Sequence, residues 1–439
     1  MSSYTEELVA SVDRLQLMFD SLHTYPLDSH ENVCKVDYLG ADVSYDEFFM
    51  RYALANKPCI LSSHHTSDWK SRHEWVDSTG RPNLEFLKSA FGASTVPVSD
   101  CSVRRYDSPS CCDMVFSEYV NYWQTLVESG HDYAAKPCLY LKDWHFTRDF
   151  PTYGAYTTPI YFTSDWLNEF WDSRTDIMDD FRFVYMGPKG SWTPLHTDVF
   201  KSFSWSANIC GKKLWYLFPP RKGQATRRKR NSLPYDIDSL YKQSVQDAAM
   251  IPNLPEPGHN PLYLTVIQNP GEIIFVPSHW YHQVHNLDDT ISINHNFFNA
   301  CNVRTVMMNL MAALIDVQEE ISAFGDTEGF HEHCQVMLRA HFGMNMADFC
   351  KMLEAVLVHR VDMFEVPAEQ RGVAYFSRKA LVSDIAAAIS CYTEMLKLPR
   401  PILETASISA DLMGRLREKL ETLGGLDQKF EMHCLWLYL

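Results

Sequence analysis

The spacing of apolar residues changes several times along this chain, and each change predicts a different local architecture. Up to about Phe19, residues Leu8, Val12, Leu15, Leu17 and Met18 fall on one broad helical face. From Val33 short β-type stretches take over. These are VCKVDYLG, KPCILSS and STVPVSD, separated by the helix-like pieces SYDEFFMRYALAN and NLEFLKSAFG. The segment from Ser117 to Gly130 reads as a helix with a Ser N-cap and a Gly stop.

A run of closely spaced strand signals follows: KPCLYLKDW, FRFVYMGPKGSWTPLHTD, SFSWSANICGKKLWYLFPP, PLYLTVIQNPGEIIFVPSHWYHQVHNL and TISINHNFF, all rich in aromatic and β-branched residues. Gly, Pro and Asn-Leu-Asp-Asp turn signals separate them, which predicts a small barrel or jelly roll with protected sheet edges. Between about Arg221 and Pro261 the pattern lapses into a polar, Pro-containing stretch, an insertion at a loop. From Asn302 four segments carry helical periodicity, NVRTVMMNLMAALIDVQEEISAF, MADFCKMLEAVLVHRVDMF, ALVSDIAAAISCYTEML and ISADLMGRLREKLETLGGL. The expected organisation is α+β: helical and strand elements over 1–136, a barrel over 137–300 with its insertion at about 221–261, and a helical region over 301–439. The helical region is expected to bury its apolar faces against the barrel.

Composition narrows the function classes. With 46% hydrophobic and 13% aromatic residues in 439, a sizeable core is possible and whole-chain disorder is excluded. A formal net charge of -16 disfavours non-specific nucleic-acid binding and suits a basic or neutral protein substrate. The 12 Cys show no paired spacing, so reduced, buried thiols are expected and a zinc finger is not. The N-terminus has neither a basic start nor an apolar signal core, and no apolar run approaches ~18 residues, so no membrane span and a cytoplasmic or nuclear location are expected. Self-association is left open.

Candidate chemistry concentrates on His196-Thr197-Asp198 and on a later histidine of the segment PSHWYHQVH, which contains His279, His282 and His285. Residues two apart on a strand face the same side, so His196 and Asp198 can both point into a barrel lumen. Two imidazoles and one carboxylate on one face of an octahedral ion leave three positions open, the arrangement of non-haem Fe(II) oxygenases.

The runs FVYMGPKGSWTPLHTD, WSANICGKKLWYLFPP, GEIIFVPSHWYHQVHNL and ISINHNF occur in the order in which similar motifs occur in the JmjC family of 2-oxoglutarate oxygenases, and the resemblance covers roughly Pro137 to Asn299. It implies a double-stranded β-helix, a cupin-like jelly roll, with Fe(II) as metal and 2-oxoglutarate and O2 as co-substrates. It selects His282 as the third ligand beside His196 and Asp198. A buried dicarboxylate needs a cation for its distal end. Strand alternation puts Lys213 opposite Lys212 and Leu214, and the family pattern favours Lys213 for that role. By the same match Thr193 and Tyr140 are expected to hydrogen-bond that carboxylate. Asn208 and Asn294, on barrel strands, are further candidates for co-substrate contacts, or else ordinary buried amides. Trp192, Trp205, Trp215 and Trp280 are expected in the core.

The runs MGPKGSWTPLHTD, SFSWS and HQVHNLDDTISINHN resemble most a branch of the family that carbon-hydroxylates a lysine of the translation termination factor. That resemblance implies a cytoplasmic protein hydroxylase. The alternatives are an N-methyl-lysine demethylase, and a barrel that serves only as an interaction module. The RRKR run at 227–230, the HEHC run at 331–334 and His64-His65 are read as solvated or structural.

Overall fold

The computed structural model describes residues 35–105, 108–134, 136–176, 179–220, 235–237, 263–366 and 378–405. The helices expected before Phe19 and from Ile408 onward, the RRKR run and most of the insertion lie outside the described residues. Thirteen strands are described: β1 (Asp37–Leu39), β2 (Cys59–Leu61), β3 (Thr95–Arg105), β4 (Ser108–Val115), β5 (Leu139–Trp144), β6 (Arg182–Gly187), β7 (Trp192–His196), β8 (Phe203–Cys210), β9 (Lys213–Phe218), β10 (Leu264–Gln268), β11 (Ile273–Val276), β12 (Tyr281–Asn286) and β13 (Thr290–Phe297). They form a nine-stranded sheet, β1-β2-β11-β8-β13-β6-β5-β3-β4, and a four-stranded sheet, β10-β9-β12-β7. The sheets face one another, since Lys213 on β9 donates to Ser292 on β13. This is the expected α+β jelly roll.

The two faces of the large sheet differ as the period-2 pattern demands. Val184, Met186, Trp205, Ala207, Ile291 and Ile293 point outward into an apolar core shared with the N-terminal elements. The residues between them, Phe183 and Tyr185, Ser204, Ser206 and Asn208, Ser292 and Asn294, line the lumen. A polar lumen inside an otherwise apolar sandwich is a prepared binding site, because hydroxyls and amides there are costly without partners.

The helices used below are α1 (Leu84–Phe91), α2 (Phe116–Glu128), α3 (Trp166–Asp172), α4 (Val303–Glu320), α5 (Phe330–Phe342), α6 (Met346–Glu365), α7 (Arg378–Met395) and α8 (Arg400–Thr405). Helix α2 begins one residue before the expected Ser117 cap, and Val115 occupies the N-cap position without a side-chain bond. No cap is needed, because the Phe116 and Ser117 N–H groups donate to the carbonyls of Ser94 and Gly92. The Gly stop is present, as Gly130 adopts φ 71° just past the helix. Strand β4 and helices α3 and α5 were not legible in the pattern. In β4 the alternation is obscured because Cys111 and Cys112 are both exposed on a sheet edge. Those two thiols depart from the buried-cysteine expectation, and Cys138 and Cys301 are only half-buried, while Cys59, Cys101, Cys210, Cys334, Cys350 and Cys391 are buried and free.

Helices α4 to α8 bury their apolar faces in one cluster with α3 and with Phe200 and Phe298 at the barrel's end. Arg360 of α6, fully buried, pairs with Glu169 of α3 and Asp384 of α7 at 2.7 Å each. Trp166 of α3 in turn donates its backbone N–H to Phe298, the residue after β13. The helical region is therefore bolted to the strand that lines the lumen. Among the described residues no helix is long and apolar enough to cross a membrane.

Candidate active site

Strand β7 ends at His196 and turns sharply through Asp198, Val199 and Phe200, where Phe200 takes φ 56°. A bulky residue in the left-handed region is strained unless its surroundings hold it. Phe200 is held by the rings of Phe181, Phe298 and Phe342, at centroid distances of 5.0, 6.0 and 5.5 Å. The turn thereby fixes Asp198 back over the lumen. Ser204 Oγ donates to Asp198 Oδ2 at 2.7 Å and orients the carboxylate.

His282 lies opposite His196 in the antiparallel register of β12 with β7. Each imidazole turns Nδ1 toward the carbonyl two residues back on its own strand, His196 to Pro194 at 2.8 Å and His282 to Trp280 at 3.4 Å. An Nδ1–H spent in that way leaves the Nε2 lone pair as the free donor. One ligand atom from each of His196, Asp198 and His282 lies within 4.8 Å of the others, and His282 Nε2 is 3.9 Å from Asp198 Oδ1. Burial, with the neighbouring His282 and Lys142 charges, holds the His196 imidazole well below its ordinary pKa. A neutral imidazole is the form that binds a metal. Two nitrogens and one carboxylate, with no thiolate, suit a borderline divalent ion such as Fe(II) and leave one side open. These residues could hold such an ion.

His279 and His285 are not part of this group. His285 stacks on Trp192, rings 5.5 Å apart, and meets Gln283. Trp205, Trp215 and Trp280 are buried, whereas Trp192 is half-buried. The HEHC residues sit on α5, outside the barrel. His145, Asp179 and Asp180 form a second cluster with ligand-type atoms. There His145 Nδ1 lies 2.6 Å from Asp180 Oδ1, within hydrogen-bond distance.

Lys213 is 2% exposed, and its Nζ donates to Ser292 Oγ at 2.7 Å. Burial, followed by the Lys142 charge, lowers its ammonium to about 7. No carboxylate of a described residue pairs with it, so an anion entering the lumen would meet a desolvated cation. Tyr140 and Thr193 are buried, and Tyr140 lies against the Asn286 amide. Gly187 is required here: a Cβ at that position would come within 2.4 Å of the Tyr140 ring. Asn294 donates to Ser292 Oγ at 3.1 Å, beside Lys213. Asn208 lies opposite Ser292 in register, but its amide donates to Gly211 at the β8–β9 turn, leaving its Oδ1 buried without a partner.

Sequence reasoning missed Ser204, Ser292 and Trp215, whose ring lies 5.7 Å from that of His282. The available signal was period-2 polarity inside apolar strands, Ser204/Ser206/Asn208 and Ser292/Asn294/Asn296. The short described part of the insertion is tied to the same strands. Tyr235 accepts from the Leu195 N–H, and Gln283 bonds both Asp236 and Ile237.

A jelly roll with this constellation matches the family described as JmjC domain, hydroxylase, over residues 183–297. The match runs from the second residue of β6 to the end of β13. Over 345 residues the chain is 44% identical to the 2-oxoglutarate and iron-dependent oxygenase JMJD4 of Danio rerio, covering 78% of this chain and 80% of the relative. It is 40% identical over 387 residues to the human protein of the same name, covering 86% and 89%. It is also 42% identical over 326 residues to the arginine-specific demethylase JMJ20 of Arabidopsis thaliana, covering 71% and 67%. The chain belongs to the JmjC family, and the JMJD4 oxygenases are among its near full-length relatives.

Proposed function

We propose that this chain is an Fe(II)- and 2-oxoglutarate-dependent protein hydroxylase that carbon-hydroxylates a lysine of the translation termination factor in the cytoplasm. The observation that carries the oxygenase reading is the joint placement of a His196/Asp198/His282 group and a desolvated Lys213 ammonium on one polar lumen. The names of the JMJD4 relatives support the same metal and co-substrate.

In this reading His196, Asp198 and His282 hold the iron, and Lys213 binds the distal carboxylate of 2-oxoglutarate. The iron, with 2-oxoglutarate and O2, supplies an oxidant for a C–H bond as 2-oxoglutarate becomes succinate and CO2. The chain's own contribution is positional. Ser204 keeps Asp198 turned toward the shared space, and the Nδ1–H bonds keep both imidazoles aimed. Ser292 and Asn294 set the Lys213 ammonium, and Thr193 and Tyr140 add donors for the same carboxylate. The buried Trp215 and Trp280 keep bulk water from the histidine side.

The test is mass spectrometry of recombinant termination factor incubated with the protein, Fe(II), ascorbate and 2-oxoglutarate, with His196→Ala as control. One added oxygen on a lysine, absent in the control, is expected. A demethylase reading is favoured by the JMJ20 relative's name, and release of formaldehyde from a methylated peptide without stable hydroxylation would replace the hydroxylase by it. No succinate formation at all would leave only an interaction module.

A further inference from the structure

Between Leu141↔Met186 and Trp144↔Val184 the ladder joining β5 to β6 loses its register. Three steps on β5 (141 to 144) span two on β6 (186 to 184), so Lys142 and Asp143 together oppose the single residue Tyr185. A bulge of this kind puts two consecutive side chains against one partner and re-aims them, and bulges recur beside active sites. The backbone is strained to achieve it, with Asp143 at φ 60°. Asp is among the few non-glycine residues that tolerate that region.

Tyr185 faces the lumen, opposite Ser292 in the β13 register, and its ring is 6.1 Å from that of Tyr140. The two bulge residues approach it from different sides. Lys142 Nζ lies 5.9 Å from the ring centroid. Burial first, and then the Lys142 charge, lowers the Lys213 ammonium. Asp143 is exposed, and its Oδ1 accepts a 2.6 Å hydrogen bond from the Tyr185 hydroxyl. Among the described residues no cation pairs with that carboxylate. Tyr185 lies within electrostatic reach of both Asp143 and Asp198. The bulge thus gathers a cation, Lys142, and an exposed carboxylate, Asp143, around the lumen-facing Tyr185.

We infer that Asp143, oriented by Tyr185, is the acceptor for the ammonium group of the substrate side chain and thereby selects a basic residue for the reaction. The inference rests on the protein-hydroxylase reading above and names the recognition group it lacks. One Asp143 lone pair is committed to Tyr185, and the remaining ones are open for an ammonium arriving from solvent. Tyr185 sits on the same lumen face as Ser292, the partner of Lys213, so a side chain anchored at Asp143 borders the lumen that holds the proposed iron site.

Two arms separate the site from the substrate's name. In the first, termination factor is titrated against wild type, Asp143→Asn and Tyr185→Phe. Asn preserves tolerance of the left-handed backbone and removes only the charge. The expected result is a KM for the protein raised at least ~10-fold in D143N and about threefold in Y185F, with the KM for 2-oxoglutarate moving less than twofold. In the second, n-butylammonium and n-butanol are titrated against succinate formation without protein substrate. Wild type should respond to the ammonium at a concentration at least ~10-fold lower than to the alcohol, and D143N should lose that preference. Equal KM values for termination factor in wild type and D143N, or no ammonium preference in wild type, would overturn the ammonium site. If termination factor stays unmodified by wild type while the ammonium preference depends on Asp143, the named substrate fails and the site stands.

Discussion

His196 and His282 stand opposite one another across the antiparallel pair of β7 and β12, with ring centroids 4.2 Å apart. Two imidazoles held at that distance would repel one another if both were protonated, and burial keeps His196 neutral. A divalent ion converts the arrangement from crowded to cohesive. Replacing either histidine by Ala should abolish Fe(II)-dependent succinate formation with the circular dichroism spectrum retained. Ser204→Ala, which frees the Asp198 carboxylate, should lower Fe(II) affinity ~10-fold by metal titration. Chelation should remove activity and added Fe(II) restore it.

In the proposed reading, Lys213→Met leaves 2-oxoglutarate without a cation for its distal carboxylate. The expected loss of 2-oxoglutarate affinity is ~2–5 kcal/mol, or roughly 30- to 5000-fold, measured as a rise in its Kd. Ser292→Ala should cost about 1 kcal/mol, through one lost hydrogen bond.

The pH dependence of that affinity follows from the Lys213 ammonium, which burial lowers to about 7. The protonated form binds the anion, and pairing raises its pKa in the complex. Affinity should be flat below pH 7 and fall up to ~10-fold per unit above it, with the dependence absent in K213M. A profile unchanged between wild type and K213M would refute the assignment.

His295 supplies a stability test. It is 2% exposed, packed with its ring centroid 4.1 Å from that of Trp205 at a tilt of 34° and bonded to Tyr156 at 2.6 Å, and burial holds it well below the ordinary histidine pKa. The unfolded chain therefore takes up a proton near pH 6.5 that the folded chain refuses. Stability should be complete above ~6.5 and fall by up to ~1.4 kcal/mol per unit as pH drops below it. Urea unfolding should show a slope of this sign, to which His196, also neutral in the fold, adds, and it should diminish in His295→Gln.

Arg360 tests whether the C-terminal helices support the barrel. Removing its fully buried guanidinium strands Glu169 and Asp384, so Arg360→Met should cost ~3–5 kcal/mol in chemical denaturation. Because α3 bonds directly to the end of β13, near-ultraviolet signals from barrel tryptophans should melt together with the helices.

The barrel strands were legible because their alternation, 3.3 Å rise and turn residues are local properties that the chain carries everywhere. His196 and Asp198 were legible for the same reason, as two residues apart on one strand. Helix α5 was not: its apolar stripe of Phe330, Cys334 and Leu338 is interrupted by histidines and acids, and its burial comes from neighbouring helices. Strand β4 was hidden because an exposed edge strand needs no apolar alternation.

Local pattern thus indicated a small barrel or jelly roll, the shared face of His196 and Asp198 and the face on which Lys213 lies, since each depends on a period of two along a single strand. The choice of the jelly roll and the expected roles of these residues came from the resemblance to the JmjC motifs. Only the assembled sheets decided that Ser204 bonds Asp198, that Ser292 meets Lys213, and that a one-residue bulge turns Lys142 and Asp143 together toward Tyr185. Those contacts join residues from 6 to 79 positions apart. The first depends on the turn between β7 and β8 and the others on register between strands distant in the chain, and the hydrophobic period within any one strand carries no record of its partner's register.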